Sequence, residues 1–269
     1  MPIQANMDYD YLNVPLGSPH YVAKYLDEKL TELKVMLDLV GGMTEYPHEG
    51  FRLLQVSLSE CRVTHLMHTV LPDELETFIA QFDAAMKKAF ERLLKHKVDP
   101  SLWRMATGRA CNGGLGLPTG KHLCAVYFLM SLAHNEEALA QTAPFVDVLE
   151  WVDRYCARLI RLTFPPDLAA AMLAATATGG FFQDPKLTSD YRRSVKQAAR
   201  LSLDGLFYRA LPRKLHEHVK LHRFSGTHWV TVPPIAYMGW CFGEDTWWAA
   251  MRLRLGICLL YTSPSPRDS

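Results

Sequence analysis

The sequence predicts a mainly α protein. Apolar residues recur at three- and four-residue spacing along most of the chain, and helix start and stop residues bracket those runs. Sustained period-two alternation is missing, apart from short strand candidates at Tyr9–Leu16 and Trp229–Val232. The 269 residues are 49% hydrophobic and 21% charged, enough apolar content for a real core. Short connections between the expected helices point to a bundle.

Residues 1–17 are punctuated by Asn, Pro and Gly around the apolar piece Tyr11–Leu16. Ser18 is a suitable N-cap and Pro19 suits the first helical position. Val22, Leu26, Leu30, Leu33, Leu37 and Val40 then mark one helix face, and Gly41-Gly42 is expected to end it in a left-handed cap. A second helix is expected over Glu49–Val70. A third follows Pro72, with Asp73 and Glu74 where acids favour the helix dipole. Its face is Leu75, Phe78, Phe82, Met86, Phe90 and Leu93, and Lys95 and Lys97 suit its C-terminal end. Further helices fit Lys121–Ala133, Pro144–Thr163, Pro166–Thr176, Ser189–Ala210, Arg213–Phe224 and Asp245–Leu255.

Composition removes several classes. Six cysteines without a C-x-x-C pair exclude a disulfide framework and a ribbon-type zinc site. The longest apolar stretches, such as Cys124–Leu132, fall far short of the ~18 residues a membrane span needs. With no charged-then-apolar leader, the expectation is an intracellular protein, nuclear or cytoplasmic, with no membrane partner. The formal net charge is only +1, but it is unevenly placed. Residues 1–100 carry 10 basic and 15 acidic side chains, whereas residues 186–223 carry 10 basic and 3 acidic. Arg192, Lys196 and Arg200 are four apart and share a helical face, with Arg193, Arg213 and Lys214 nearby in sequence. Such a row can follow a phosphate backbone, or it can be a solvated face paired with the acidic first third.

Other patterns carry less. Gly113–His122 resembles a phosphate loop only superficially: Leu115 stands where the first glycine should be, and His122 where Ser or Thr should follow the lysine. A glycine turn feeding a helix is the better reading. Cys61, His65 and His68 sit at i, i+4 and i+7, a soft set suited to zinc, but no fourth ligand follows at a recognisable spacing; a packed stripe is favoured and no metal ligand is assigned. His218 and His222 share a face without an H-E-x-x-H. Asp8 and Asp10 are two apart, and there is no Asp-Asp pair or G-x-S-x-G elbow, so no catalytic residue is assigned. Trp229, Trp240, Trp247 and Trp248 crowd the end of the chain, more suited to core packing than to stacking on bases. Cys258–Asp268 (CLLYTSPSPRD) matches the in-frame translation of a transposase mosaic end followed by a sequencing adapter. Residues 258–269 are therefore set aside as an adapter-derived tail, and the C-terminal end is expected to be arbitrary.

Five segments, in order, resemble the region that follows the palm in non-LTR retroelement-like reverse transcriptases. They are Tyr11–Ser18 (YLNVPLGS), Val70–Leu75 (VLPDEL), Gly113–Leu117 (GGLGL), Leu221–Val230 with its Ser-Gly and Trp, and Ala249–Gly256 (AAMRLRLG). The resemblance covers most of residues 10–257. It implies a remnant of the palm and primer-grip hairpin over 1–17, a thumb-like helical region over 18–110, and a helical connector over 111–257 containing the basic segment. Leu16 and Gly17 match the hairpin that supports the primer end. The family's Tyr-x-Asp-Asp type motif, which precedes the Leu-Gly segment, is absent here, as is the Cys/His cluster that commonly follows Arg-Leu-Arg-Leu-Gly. Gly226 and Trp229 are also spaced differently from the usual Gly-x-Trp.

The resemblance thus implies a non-catalytic fragment of an RNA-directed DNA polymerase that contributes to binding of RNA template and DNA primer. No cofactor is expected in the fragment; the parent would hold a divalent metal, magnesium, at the palm site. Leu16, Gly17, Arg192, Arg193, Lys196, Arg200, Arg213 and Lys214 are the expected nucleic-acid-binding residues. The alternative is a helical protein-interaction module without a nucleic-acid or catalytic role.

Overall fold

A computed structural model describes residues 8–11, 13–58, 60–110, 113–117, 119–120 and 241–257, with Cys124, Tyr127, Phe128, Ser131, Leu215, Val230 and Pro234. The described residues are mainly α with a short N-terminal hairpin, as the sequence predicts. Strands β1 (Tyr9–Tyr11) and β2 (Val14–Leu16) pair antiparallel, with Tyr9 opposite Leu16 and Tyr11 opposite Val14. Asn13 turns the chain at φ +62°, a left-handed conformation that Asn tolerates better than most residues.

Helix α1 (Pro19–Gly41) buries the expected face, from Val40 at 9% exposure to Leu33 and Leu37 at 1%. It ends at the expected place by a different device. Neither Gly41 nor Gly42 has positive φ. Gly41 is small because Ala89 packs against it: an added Cβ would lie 3.0 Å from the Ala89 Cα.

The single helix expected over Glu49–Val70 is two helices, α2 (Pro47–Val56) and α3 (Glu60–Thr69). Ser57 caps α2, and the Leu58 N–H turns back to the Leu53 carbonyl, which drives the Leu58 side chain into the core. Serine competes for backbone bonds and favours such breaks, a local signal that continuous apolar spacing conceals. Helix α4 (Pro72–Leu94) matches the expected third helix, and every residue of its predicted face is buried.

Helix α5 (Pro100–Thr107) lies where the sequence reading places no helix. Its signal is nonetheless local. Asp99 accepts from the Ser101 and Leu102 amides at 2.7 and 2.9 Å, with Pro100 at the first helical position. Helix α6 (Glu244–Arg254) agrees with the expected Asp245–Leu255 to within a residue at each end. The four described residues of the helix expected over Lys121–Ala133 (Cys124, Tyr127, Phe128 and Ser131) are helical. Leu215 is helical, as expected for Arg213–Phe224. Val230, the one described residue of the strand expected at Trp229–Val232, is helical and buried. The helices expected over Pro144–Thr163, Pro166–Thr176 and Ser189–Ala210 lie outside the described residues.

Two compact units form, and neither is a continuous stretch of chain. The first takes residues 1–30, 62–81 and 120–206; the second takes 31–61, 82–119 and 207–269. The first contains the hairpin and a core that includes Val22, Leu26, Leu66, Leu75 and Phe78. The second is built around aromatic residues. Phe51 lies 6.0 Å from Phe90 and 5.9 Å from Trp247, and Phe90 lies 6.4 Å from Trp103, separations typical of favourable tilted pairs. No helix among the described residues is long and apolar enough to cross a membrane.

Candidate functional site

In the first unit, the exit of the hairpin is held by one carboxylate. Asp8 accepts from the Ser18 amide at 2.6 Å through Oδ1 and from the Ser18 hydroxyl at 3.2 Å through Oδ2. The Ser18 hydroxyl also accepts from the Tyr21 amide at 3.3 Å, the capping role its sequence position predicts. Gly17 lies so close to Asp8 that a Cβ would collide with the carboxylate and come within 2.8 Å of the Asp8 Cα. Its φ of +153° adds to the demand for glycine. Leu16, 38% exposed, and Gly17 are therefore presented at the surface where the hairpin enters α1. Asp8 is used by this turn, so Asp8 and Asp10 do not form a free carboxylate pair.

The remaining expected nucleic-acid-binding residues, Arg192, Arg193, Lys196, Arg200, Arg213 and Lys214, lie outside the described residues. So do Trp229, Trp240 and the 216/218/222 histidines.

The Cys61/His65/His68 stripe is only partly described, since the Cys61 side chain lies outside the described set. His65 is engaged by the Asn13 backbone, and His68 lies 5.0 Å from the Tyr127 ring. Burial holds His65 below the usual imidazole range, the Asn13 hydrogen bond opposes this, and Lys29 adds to the lowering. Among the described residues no group of three His, Cys, Asp or Glu side chains could hold a metal ion.

In the second unit, the glycine run has a structural occupation. Each amide from Gly113 to Leu117 donates to a carbonyl of the preceding segment: Ala110, Arg109, Met105, Gly108 and Ala106 in turn. None of these five N–H groups is left to cradle a phosphate, which agrees with the turn reading of the sequence. Gly114 packs on the Gly108 backbone, where a Cβ would collide, and Gly113 and Gly116 have φ of +89° and +72°. Thr119 donates to Asp83 at 2.8 Å.

Arg254 closes this loop from 140 residues away. Its Nε and Nη2 donate to the Gly114 carbonyl at 3.2 and 3.0 Å, and Nη2 also reaches the Ala110 carbonyl at 3.0 Å. The side chain is 1% exposed, and burial lowers its pKa, although a guanidinium stays charged. Two segments singled out in the sequence, Gly113–Leu117 and Ala249–Gly256, thus meet at one buried fork. Spacing alone could not reveal this contact.

Sequence reasoning also missed a polar cluster at the start of α2. The His48 ring, 3% exposed, stacks on Phe242 at 5.3 Å, and its Nδ1 accepts the Phe242 amide at 3.2 Å. The neutral ring therefore carries its proton on Nε2. Burial pushes His48 below the usual imidazole range, Glu49 opposes and Arg52 adds to the lowering. The Cys241 thiol donates to Glu49 at 3.0 Å. Burial, that hydrogen bond and the Glu49 charge push the thiol up to about 11, which keeps it protonated and weakly nucleophilic at neutral pH. Cysteine, histidine and carboxylate thus meet without the orientation a nucleophile needs: His48 faces a backbone amide, not the thiol.

The two described tryptophans of the C-terminal crowd are structural. Trp247 is fully buried, and Trp248 donates to the Leu93 carbonyl at 2.8 Å while Lys95 sits 3.7 Å above its ring. No family model matches the chain, and no curated protein or solved structure matches it either.

Proposed function

We propose that this chain is the post-palm region of a non-LTR retroelement-like reverse transcriptase, and that it holds RNA template and DNA primer rather than adding nucleotides. The observation that carries the reading is the hairpin exit. A two-stranded hairpin presents Leu16 and Gly17 at the surface and feeds directly into a 23-residue helix. That arrangement suits a support for a primer end. The meeting of Gly113–Leu117 with Arg254 adds weight, since it gives two of the five resembling segments a shared structural role. Contact to the phosphate backbone would fall to the basic segment, which needs positive charge and no base code.

The residues described do not fit the magnesium ion that the resemblance implies for the parent enzyme. Asp8 is occupied by Ser18, and no acidic cluster accompanies it among the described residues.

The test is fluorescence anisotropy with a labelled RNA–DNA duplex. The chain should bind without sequence preference, and Arg192→Ala, Lys196→Ala and Arg200→Ala together should weaken binding. No binding at low salt would remove the reading.

A helical protein-interaction module is the second reading. It is favoured by Val35 and Leu39, 57% and 70% exposed, which lie four residues apart on α1. A chain that binds no duplex but captures a helical partner through Val35 and Leu39 would establish it.

A further inference from the structure

We propose that His48 is a pH-sensitive latch that fastens residues 241–242, and with them the start of helix α6, to helix α2. The latch is independent of the nucleic-acid reading.

Donor and acceptor geometry sets its behaviour. Nδ1 of His48 is an acceptor only while the ring is neutral, and its partner is the Phe242 N–H at 3.2 Å. A proton taken from solvent onto Nδ1 places two donors face to face, so the bond cannot survive. A half-turn of the ring would keep its plane stacked on Phe242 but carry Nδ1 away from the Phe242 N–H and put a carbon there, so the bond is lost in either case. It is also too buried for water to solvate the cation in place. Protonation is therefore accommodated by release of the 241–242 segment.

The described charged groups around the latch are otherwise engaged or exposed. On α2, Glu49 accepts the Cys241 thiol, and Arg52 donates to Gln55 at 2.9 Å. From the segment itself, Cys241 is a neutral thiol turned toward Glu49. At the start of α6, Glu244 pairs with Lys95 at 2.7 Å, and Asp245 is exposed. Near the end of α4, Arg92 is held by Asp38 at 3.1 Å. Among the described residues, Glu49 is the carboxylate that favours the cation, and burial outweighs it.

Release has a directional consequence. Residues 241–243 lead into α6, and α6 ends at Arg254, the side chain that closes the glycine loop. Acid is thus expected to loosen α6 from its N-terminal end while its Arg254 end is still held.

The experiment is amide hydrogen exchange on the full chain, corrected for intrinsic rates, from about pH 7.5 downward through and below the ordinary histidine range, since burial holds His48 below it. Protection at Phe242 should fall about tenfold on acidification, the loss of roughly one hydrogen bond. His48→Asn places an acceptor that cannot be protonated near the Nδ1 position, so Phe242 should stay protected throughout. Should that variant fail to fold, the wild-type chain decides the matter through ¹⁵N-histidine spectra. A loss of Phe242 protection whose midpoint coincides with the titration of the His48 ring supports the latch. Unchanged protection in the wild type, a midpoint that does not follow His48, or an equal loss in folded His48→Asn would overturn it.

Discussion

Gly17 and Gly114 lie in different units, and each is a place where the backbone leaves no room for a Cβ. What they approach differs. Gly17 meets the Asp8 carboxylate and, at 2.8 Å, the Asp8 Cα of the exposed hairpin end, and it leaves Leu16 at the surface. Gly114 meets the Gly108 backbone, with every amide of its run already donated and a buried arginine on its carbonyl. The first glycine keeps a surface open, and the second locks a loop shut. A glycine therefore reports close approach, and the neighbour decides whether the site can contact a ligand.

That contrast can be broken most sharply at Gly114. Gly114→Ala should cost about 4 kcal/mol in urea denaturation, because backbone meets the new methyl and neither side can rotate away. A cost below ~1 kcal/mol would mean the loop has room after all. Arg254→Ala should cost about 3 kcal/mol, since the Gly114 carbonyl loses its guanidinium donors, the Ala110 carbonyl loses one of its two, and a large buried side chain is removed. Arg254→Lys should recover only part of this, as an ammonium cannot reproduce the fork. Gly17→Ala should cost about 2 kcal/mol, since the Asp8 backbone and carboxylate must both shift and one dihedral is strained, yet less than Gly114→Ala because the hairpin end is exposed and can give. Equal costs at Gly17 and Gly114 would dissolve the comparison.

The smallest expected effect is one of pH, and it has the same sign in both units. His48 and His65 are held below the usual imidazole value, so the unfolded chain takes up protons first as pH falls. Stability should be fully present above about pH 6.5 and decline below it, until the lowered folded values are reached. Urea midpoints measured across that window check the direction. A midpoint that rises on acidification would contradict it.

The long helices are legible in the sequence because their faces are continuous. Val22 to Val40 on α1 and Leu75 to Leu93 on α4 repeat at helical spacing, and each named position is buried. The Ser57 break is hidden because Leu58 keeps the apolar spacing while the backbone turns. Helix α5 escapes for the opposite reason: its cap at Asp99 is clear, but its eight residues are too few for a periodic face. In the candidate site, Leu16 and Gly17 can be named from their segment, whereas Asp8 cannot, because its partner lies ten residues away across a turn. Arg254 on Gly114 and His48 on Phe242 join residues 140 and 194 apart, and no local pattern encodes such pairs.

Contact with duplex is thus proposed to belong to an open surface and a basic segment, with the glycine loop taking no part. The salt dependence of duplex binding tests this most directly. The logarithm of the binding constant should fall linearly with the logarithm of salt concentration, by about 0.9 for each phosphate contacted. The Arg192→Ala, Lys196→Ala, Arg200→Ala variant should show a visibly shallower slope. Salt-insensitive binding, or an identical slope in the variant, would contradict the proposal.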